Sequence, residues 1–538
     1  DHTDQVTSLL TRFAAMLLAL ALATTACSTS TVGVRSAADE ASTATPTEVV
    51  PTPAEGLDGD GAQDAAAEDP RAAADDDTQP TEMPVPEPEP TSTEPENPSP
   101  GADGLGDPYY PTLGNGGYDV ERYVLDLEWI PADGALAGTV TIEAVATQDL
   151  SSFNLDFQGM TIEALTVDGS DATFSRADRE LTVTLPAPLG EGEPFSAAVT
   201  YSGQPGRITE LSDIDIGGWY TQGNGAFVVS EPAGNFTWHP VNDHPLDKAR
   251  FRVEMTAPSE LTVASAGLLQ DQIDHGDGTT TWIYEARDPM APYLLPLAIG
   301  DLVLIDDTTV DGVPIRNAIT SSMVGRADAF GRTAEMLDVF GDLFGPYPFD
   351  AYGVLVVDSQ LGVALEQQTM SIFGQDFLSG GFDIDGVVAH ELAHQWFGNH
   401  VSVAEWDEIW LNEGFATYAE HLFFEAADPG YDIDAAIASL TQIAPEVLSD
   451  PVPGDPGPDK LFAPSVYFRG AITVHALRRT VGDEHFFEIL PTYLDRFGGG
   501  NATTNDLQEV AEEVSGLDLE AFFDEWLYQS PLPEIPAG

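Results

Sequence analysis

The chain has 538 residues, enough for about two to four domains of ordinary size. Its 90 acidic side chains outnumber 19 basic ones, giving a net charge of −71. A field of that sign repels nucleic acid, so that class of partner is excluded. With Cys27 as its single cysteine, the chain has no disulfide framework and no dithiol chemistry. The shortage of lysine leaves two readings, adaptation to high salt or an acidic exported protein kept soluble by its charge.

At the N-terminus, Arg12 precedes an apolar run from Phe13 to Ala23. The run is too short to cross a bilayer as a helix but suits a secretory leader. The sequence opens on Asp1 rather than Met, so the natural start is expected to differ. Ala26-Cys27 followed by Ser-Thr-Ser resembles a bacterial lipobox, although Thr24 stands where such motifs usually have Leu. That resemblance implies a lipidated Cys27, residues 1–27 as leader, and anchoring to the outer face of a bacterial membrane. The other reading is an ordinary leader with an incidental cysteine and a secreted product. Residues 28–114 are rich in Ala, Thr, Pro, Glu and Asp, with 19 acids and two arginines between Ser28 and Asp107. Little there can pack and the charges repel, which predicts an extended tether.

Alternation begins at Tyr118. In YDVERYVLDLEWI, Tyr123, Leu125, Leu127 and Trp129 alternate with mostly polar neighbours, the period of a half-buried strand. TVTIEAVA, FNLDF, ELTVTL and FSAAVTYSG repeat the pattern, separated by turn sequences such as Pro131-Ala132-Asp133-Gly134. A largely antiparallel β domain is expected over residues 115–302.

From residue 303 to 538 the pattern turns mainly helical. Phe330, Ala334, Leu337, Phe340, Leu343 and Phe344 form a helical stripe that a Gly-Pro break ends. A strand from Tyr352 to Val357 follows. Then comes His390-Glu391-Leu392-Ala393-His394. On a helix, positions i and i+4 share a face, so both imidazoles can meet one metal ion, while Glu391 reaches a water beside it. Nineteen residues after His394, Glu413 lies in a second helical run, WLNEGFATYAE. Two His and one Glu around an open fourth position make the ligand set of a catalytic zinc. The plainer reading, two core histidines beside a solvated glutamate, is weakened by that second acidic helix at the right distance.

The pentad, the spacing to Glu413 and the wording HELAHQWFGN and WLNEGFATY together resemble the M1 family of zinc metallopeptidases, the aminopeptidase N-like gluzincins. The resemblance implies a multidomain fold, with a saddle-like N-terminal β-sandwich followed by a thermolysin-like α+β catalytic domain. It assigns one zinc ion per chain to His390, His394 and Glu413, and the general base to Glu391. SVYFRGA resembles the family segment whose tyrosine donates to the oxyanion, which gives that role to Tyr467. GVALEQ partly matches the family's G-A-M-E-N motif: Ala364 and Glu366 agree, while Val363, Leu365 and Gln367 differ. By this match Glu366 anchors the substrate amine and Ala364 lies along the substrate backbone. Glu231 occupies the place of a second amine-binding acid, with Val229 where relatives often have Gln. Asn412 and Glu420 are candidates for orienting the histidines. The resemblance covers about Tyr118 to Pro536, without the C-terminal domains of many relatives.

The function so implied is a zinc aminopeptidase acting on peptides with a free N-terminus. Two alternatives stand beside it. One is a hydrolase of another class on the same site, such as an epoxide hydrolase; the other is an inactive peptidase-like binding protein, against which the complete residue set argues.

Overall fold

The computed structural model describes residues 97–208, 211–214, 216–308, 312–380 and 383–537. The leader, Cys27 and the tether up to residue 96 lie outside these residues. Residues 97–114, expected as the end of the tether, belong instead to the folded part. Ser99–Pro100 pairs in parallel with Leu150–Asp156, and Asp107, Tyr110 and Leu113 are buried. Asp107 explains the difference. One of its carboxylate oxygens accepts from the N–H groups of Tyr109 and Tyr110, the other from the Trp406 N–H at 2.8 Å, and it pairs with His244 at 3.2 Å. Two of these partners, His244 and Trp406, lie far along the chain, out of reach of any local composition argument.

The alternating sequences form an eight-stranded sheet. Tyr118–Ile130 and Ala135–Ala146 pair as an antiparallel hairpin, flanked by Pro194–Gly203 and Ala249–Pro258. Tyr123, Leu125, Leu127 and Trp129 all point inward, each large apolar side chain contributing about 1.5–3 kcal/mol on burial. The expectation of antiparallel pairing holds except between Tyr118–Ile130 and Ala249–Pro258, which run parallel. A four-stranded sheet built on Leu150–Asp156 and Glu180–Leu189 covers the first. Tyr118, Phe153 and Phe195 meet between the layers at ring separations of 5.2–6.2 Å, so the domain is a sandwich. A third sheet carries Gly225–Val229, which leads directly to Glu231.

The catalytic half opens with a five-stranded sheet in which Ala364–Leu365 is an edge strand. Helix α1, Thr333–Phe344, buries Leu337, Phe340 and Phe344 and stops at Gly345, whose φ of 105° suits only glycine, ahead of Pro346. Three further helices build the site: α2, Ile384–Ala393; α3, Trp410–Ala427; and α4, Pro464–Val481. Pro464 occupies the first turn of α4, where its missing N–H costs nothing, and Gly482 ends the helix at φ 84°. An aromatic cluster of Phe340, Phe344, Trp396, Phe397 and Phe415 locks α1 against the segments around α2 and α3. Among the described residues no helix is long and apolar enough to cross a membrane.

Candidate active site

His390 lies in the last turn of α2 and His394 caps it, one turn apart, with ring centres 4.7 Å apart. Glu413, in the first turn of α3, places Oε2 3.3 Å from His390 Nε2 and 3.5 Å from His394 Nε2. All three are buried. The outer nitrogens are taken: His390 Nδ1 lies 3.0 Å from Glu420 Oε1, and His394 Nδ1 lies 3.1 Å from the Phe397 carbonyl. With Nδ1 donating to these oxygens, each ring turns Nε2 toward Glu413 and the space where a metal ion would sit. Of the two residues proposed to orient the histidines, Glu420 does so. Asn412 leaves its Nδ2 without a hydrogen-bond partner, and the carbonyl of Phe397 serves His394 instead.

These separations test the metal. Two donors held at about 2.0–2.1 Å from one ion at a tetrahedral angle lie about 3.3–3.4 Å apart. The oxygen–nitrogen separations are close to this, so the donor set suits a zinc ion. Burial alone would raise the Glu413 carboxyl, but the two imidazoles overcome it and hold the group well below the usual carboxylate range, as a ligand anion requires.

The same cavity is lined by Glu231, Ala364, Glu366, Glu391 and Tyr467. Burial, reinforced by Glu366 and Glu413 and opposed by the histidines, pushes the Glu391 carboxyl up to about 8. A dication held by the histidines and Glu413 would lower it again. Tyr467, in the first turn of α4, lies nearly parallel to His390 at 6.0 Å. Burial raises its phenol well above 10, so the hydroxyl stays a donor.

Glu366 follows the edge strand Ala364–Leu365 and is 3% exposed. The Tyr293 hydroxyl donates to its Oε1 at 3.4 Å. Glu231 is 4% exposed and its Oε1 has no partner. Burial and then the charge of Glu366 raise its carboxyl. Among the described residues no Lys or Arg lines this cavity, so the field within it favours a cation. Apolar walls come from Ile214, Ile216, Phe377, Val387, Phe462 and Phe468. Neither these walls nor Tyr293 carried a sequence signal. Tyr293 becomes visible only through its contact with a residue 73 positions away.

A β-sandwich joined to a helical domain that presents two histidines and a glutamate to one open cavity defines a zinc metallopeptidase. The descriptions Peptidase M1 N-terminal domain and Peptidase family M1 domain match residues 119–294 and 329–526. A solved M1 zinc metallopeptidase from Deinococcus radiodurans superposes with a TM-score of 0.74 at 33% identity, over 81% of this chain and 99% of that one. A variant of that protein has been solved with a Tyr-Ser-Ala substrate. Aminopeptidase M1-B of Oryza sativa subsp. japonica is 30% identical over 55% of this chain and 36% of its own length. For aminopeptidase N of Lactococcus lactis subsp. lactis the figures are 26%, 78% and 52%. This chain belongs to peptidase family M1. It spans about a third to a half of the length of the curated relatives it matches.

Proposed function

We propose that this protein is a zinc-dependent aminopeptidase that removes N-terminal residues from peptides. The observation carrying the proposal is the pair of buried carboxylates, Glu366 and Glu231, in the cavity of the metal donors, with no Lys or Arg among the described residues that line it. Two buried acids without a cation cost free energy, and an α-ammonium group supplies that cation.

His390, His394 and Glu413 would hold the zinc ion, which when bound supplies Lewis acidity to the scissile carbonyl and acidifies a water. Glu391 accepts the proton of the attacking water at its carboxylate and returns it to the leaving amine. Tyr467 donates its hydroxyl hydrogen to the developing oxyanion, a contact whose loss typically costs about 10²–10³ in rate. Glu366 and Glu231 hold the free amine so that the first peptide bond reaches the reacting groups. The aminopeptidase names of relatives agree with this reading.

The test is hydrolysis of aminoacyl amides, free and N-acetylated, by the wild type and the Glu391→Gln variant. Turnover of free-amine substrates alone, abolished in the variant, supports the assignment. Equal cleavage of acetylated substrates refutes the amine anchor.

The reading also includes export and lipid anchoring through Cys27, which rests on the leader sequence. Cys27→Ser should release the protein from membranes, and an unchanged membrane fraction would refute the anchor.

A further inference from the structure

The motif HELAHQWFGN ends in two amides, Gln395 and Asn399, that are neither metal donors nor cavity-lining residues. Both are fully buried. Gln395 Nε2 donates to the backbone carbonyl of Glu366 at 2.8 Å, and its Oε1 accepts from the Thr369 N–H at 2.9 Å. Asn399 Nδ2 donates to the same Glu366 carbonyl at 2.7 Å, while its Oδ1 has no partner. A buried amide with one end unsatisfied is unfavourable, so the bond from Nδ2 to the Glu366 carbonyl is the one stabilising contact its side chain makes. Thr369 has φ 66°, a left-handed conformation rare for threonine, and Gln395 holds this bend through the Thr369 N–H. The Asn399 N–H donates to the His394 carbonyl at 2.9 Å, and Lys248 Nζ donates to the Asn399 carbonyl at 3.0 Å from the β domain. Two side chains from the six residues after Ala393 thus grip the peptide group that carries Glu366.

We infer that Gln395 and Asn399 are positioning residues that fix the Glu366 carboxylate at a set distance from the metal donors. They thereby limit cleavage to one residue from the amine. The inference rests on the aminopeptidase reading. With the grip intact, a substrate anchored at Glu366 presents its first carbonyl to Glu391 and Tyr467. With the grip lost, the loop 366–369 shifts relative to α2, the amine is held loosely, and the reacting groups themselves are undisturbed. The predicted signature is therefore weaker binding and poorer discrimination of amine position, with little change in turnover at saturation.

Two variants, Gln395→Met and Asn399→Ala, test it in the full-length zinc enzyme. On leucyl amide substrates KM should rise about tenfold with kcat within about threefold, the scale of one buried hydrogen bond. The preference for leucyl over β-homoleucyl amide, whose amine lies one carbon farther out, should shrink. Hydrogen exchange at 366–370 should quicken about tenfold while α2 stays protected and zinc content is unchanged. Unchanged KM together with unchanged exchange overturns the inference. A parallel fall of kcat, zinc content and melting temperature with selectivity intact also overturns it, since that is a purely structural role. If the wild type is idle on free-amine amides, the aminopeptidase reading fails, and exchange at 366–370 alone decides whether the grip exists.

Discussion

Gly414 and Gly470 touch backbone to backbone. A Cβ on Gly414 would sit 2.9 Å from Gly470 Cα, and one on Gly470 would sit 2.8 Å from Gly414 Cα. Helices α3 and α4 cross at this point, which brings Glu413 and Tyr467, each next to or one turn from the crossing, into one cavity. Neither neighbour is the tip of a flexible side chain, so neither can yield cheaply. Gly414→Ala should therefore lower stability by about 1–3 kcal/mol through overpacking and reduce kcat as Tyr467 moves off the reacting carbonyl. Urea unfolding and steady-state kinetics read the two effects separately. A variant with wild-type midpoint and kcat would show that the crossing tolerates a methyl group.

Glu420 holds His390 through its Nδ1 at 3.0 Å. Glu420→Gln keeps the shape but loses the charge that favours donation from the ring. Zinc affinity should fall about 10–100-fold, the usual cost of losing such a support. Competition with a chromogenic chelator measures this directly, without reference to activity.

Tyr293 donates to Glu366 over a long 3.4 Å and stacks edge-on against Trp406 at 5.3 Å. Tyr293→Phe removes the hydroxyl and keeps the packing. KM for free-amine substrates should rise by about threefold to tenfold, the range of a hydrogen bond near 1 kcal/mol, with the melting temperature nearly unchanged. An unaltered KM would show that the ring matters and the hydroxyl does not.

Histidines buried in neutral form contribute a loss of stability on acidification. Burial lowers His239 to about 3 and His475 to about 4, against an ordinary value of 6.5. Between those limits these rings bind protons in the unfolded chain and refuse them in the folded protein, so their contribution to stability rises with pH there and is lost on acidification from about 6.5 toward 4. Each such group contributes up to about 1.4 kcal/mol per pH unit in that window. Buried carboxylates such as Asp156, raised to about 8, act with the opposite sign in the same window, so the readout is a difference between variants. Relative to the wild type, His239→Phe should gain in urea midpoint as the pH falls from 7 to 4. A difference that stays constant over that range would mean that His239 is protonated inside the fold.

The metal donors were legible because helical periodicity alone places His390 and His394 together, and the strands were legible because alternation records a single buried face. Where two chemically reasonable residues competed, as Asn412 and Glu420 did, the sequence could not choose, since the outcome depends on which helix face meets His390. The parallel pairing of Tyr118–Ile130 with Ala249–Pro258 left no local trace, because alternation is indifferent to strand direction. Residues 97–114 were misread for the opposite reason. Their composition is that of a tether, yet Asp107 and Tyr110 bond to Trp406 and Leu211, far along the chain.

The same segment bears on the order in which the molecule is made. Asp107 leaves the ribosome 299 residues ahead of Trp406, whose N–H it accepts, and Tyr109 precedes Gly457 by 348. Throughout that interval the Asp107 carboxylate lacks its most distant donor. The β-sandwich can assemble during synthesis, but its N-terminal edge is finished only when α3 arrives. Closure by so remote a pairing is slow and ties the stability of the first domain to the second. A chain interrupted before residue 406 would thus carry an open seam at the N-terminal edge of its β domain.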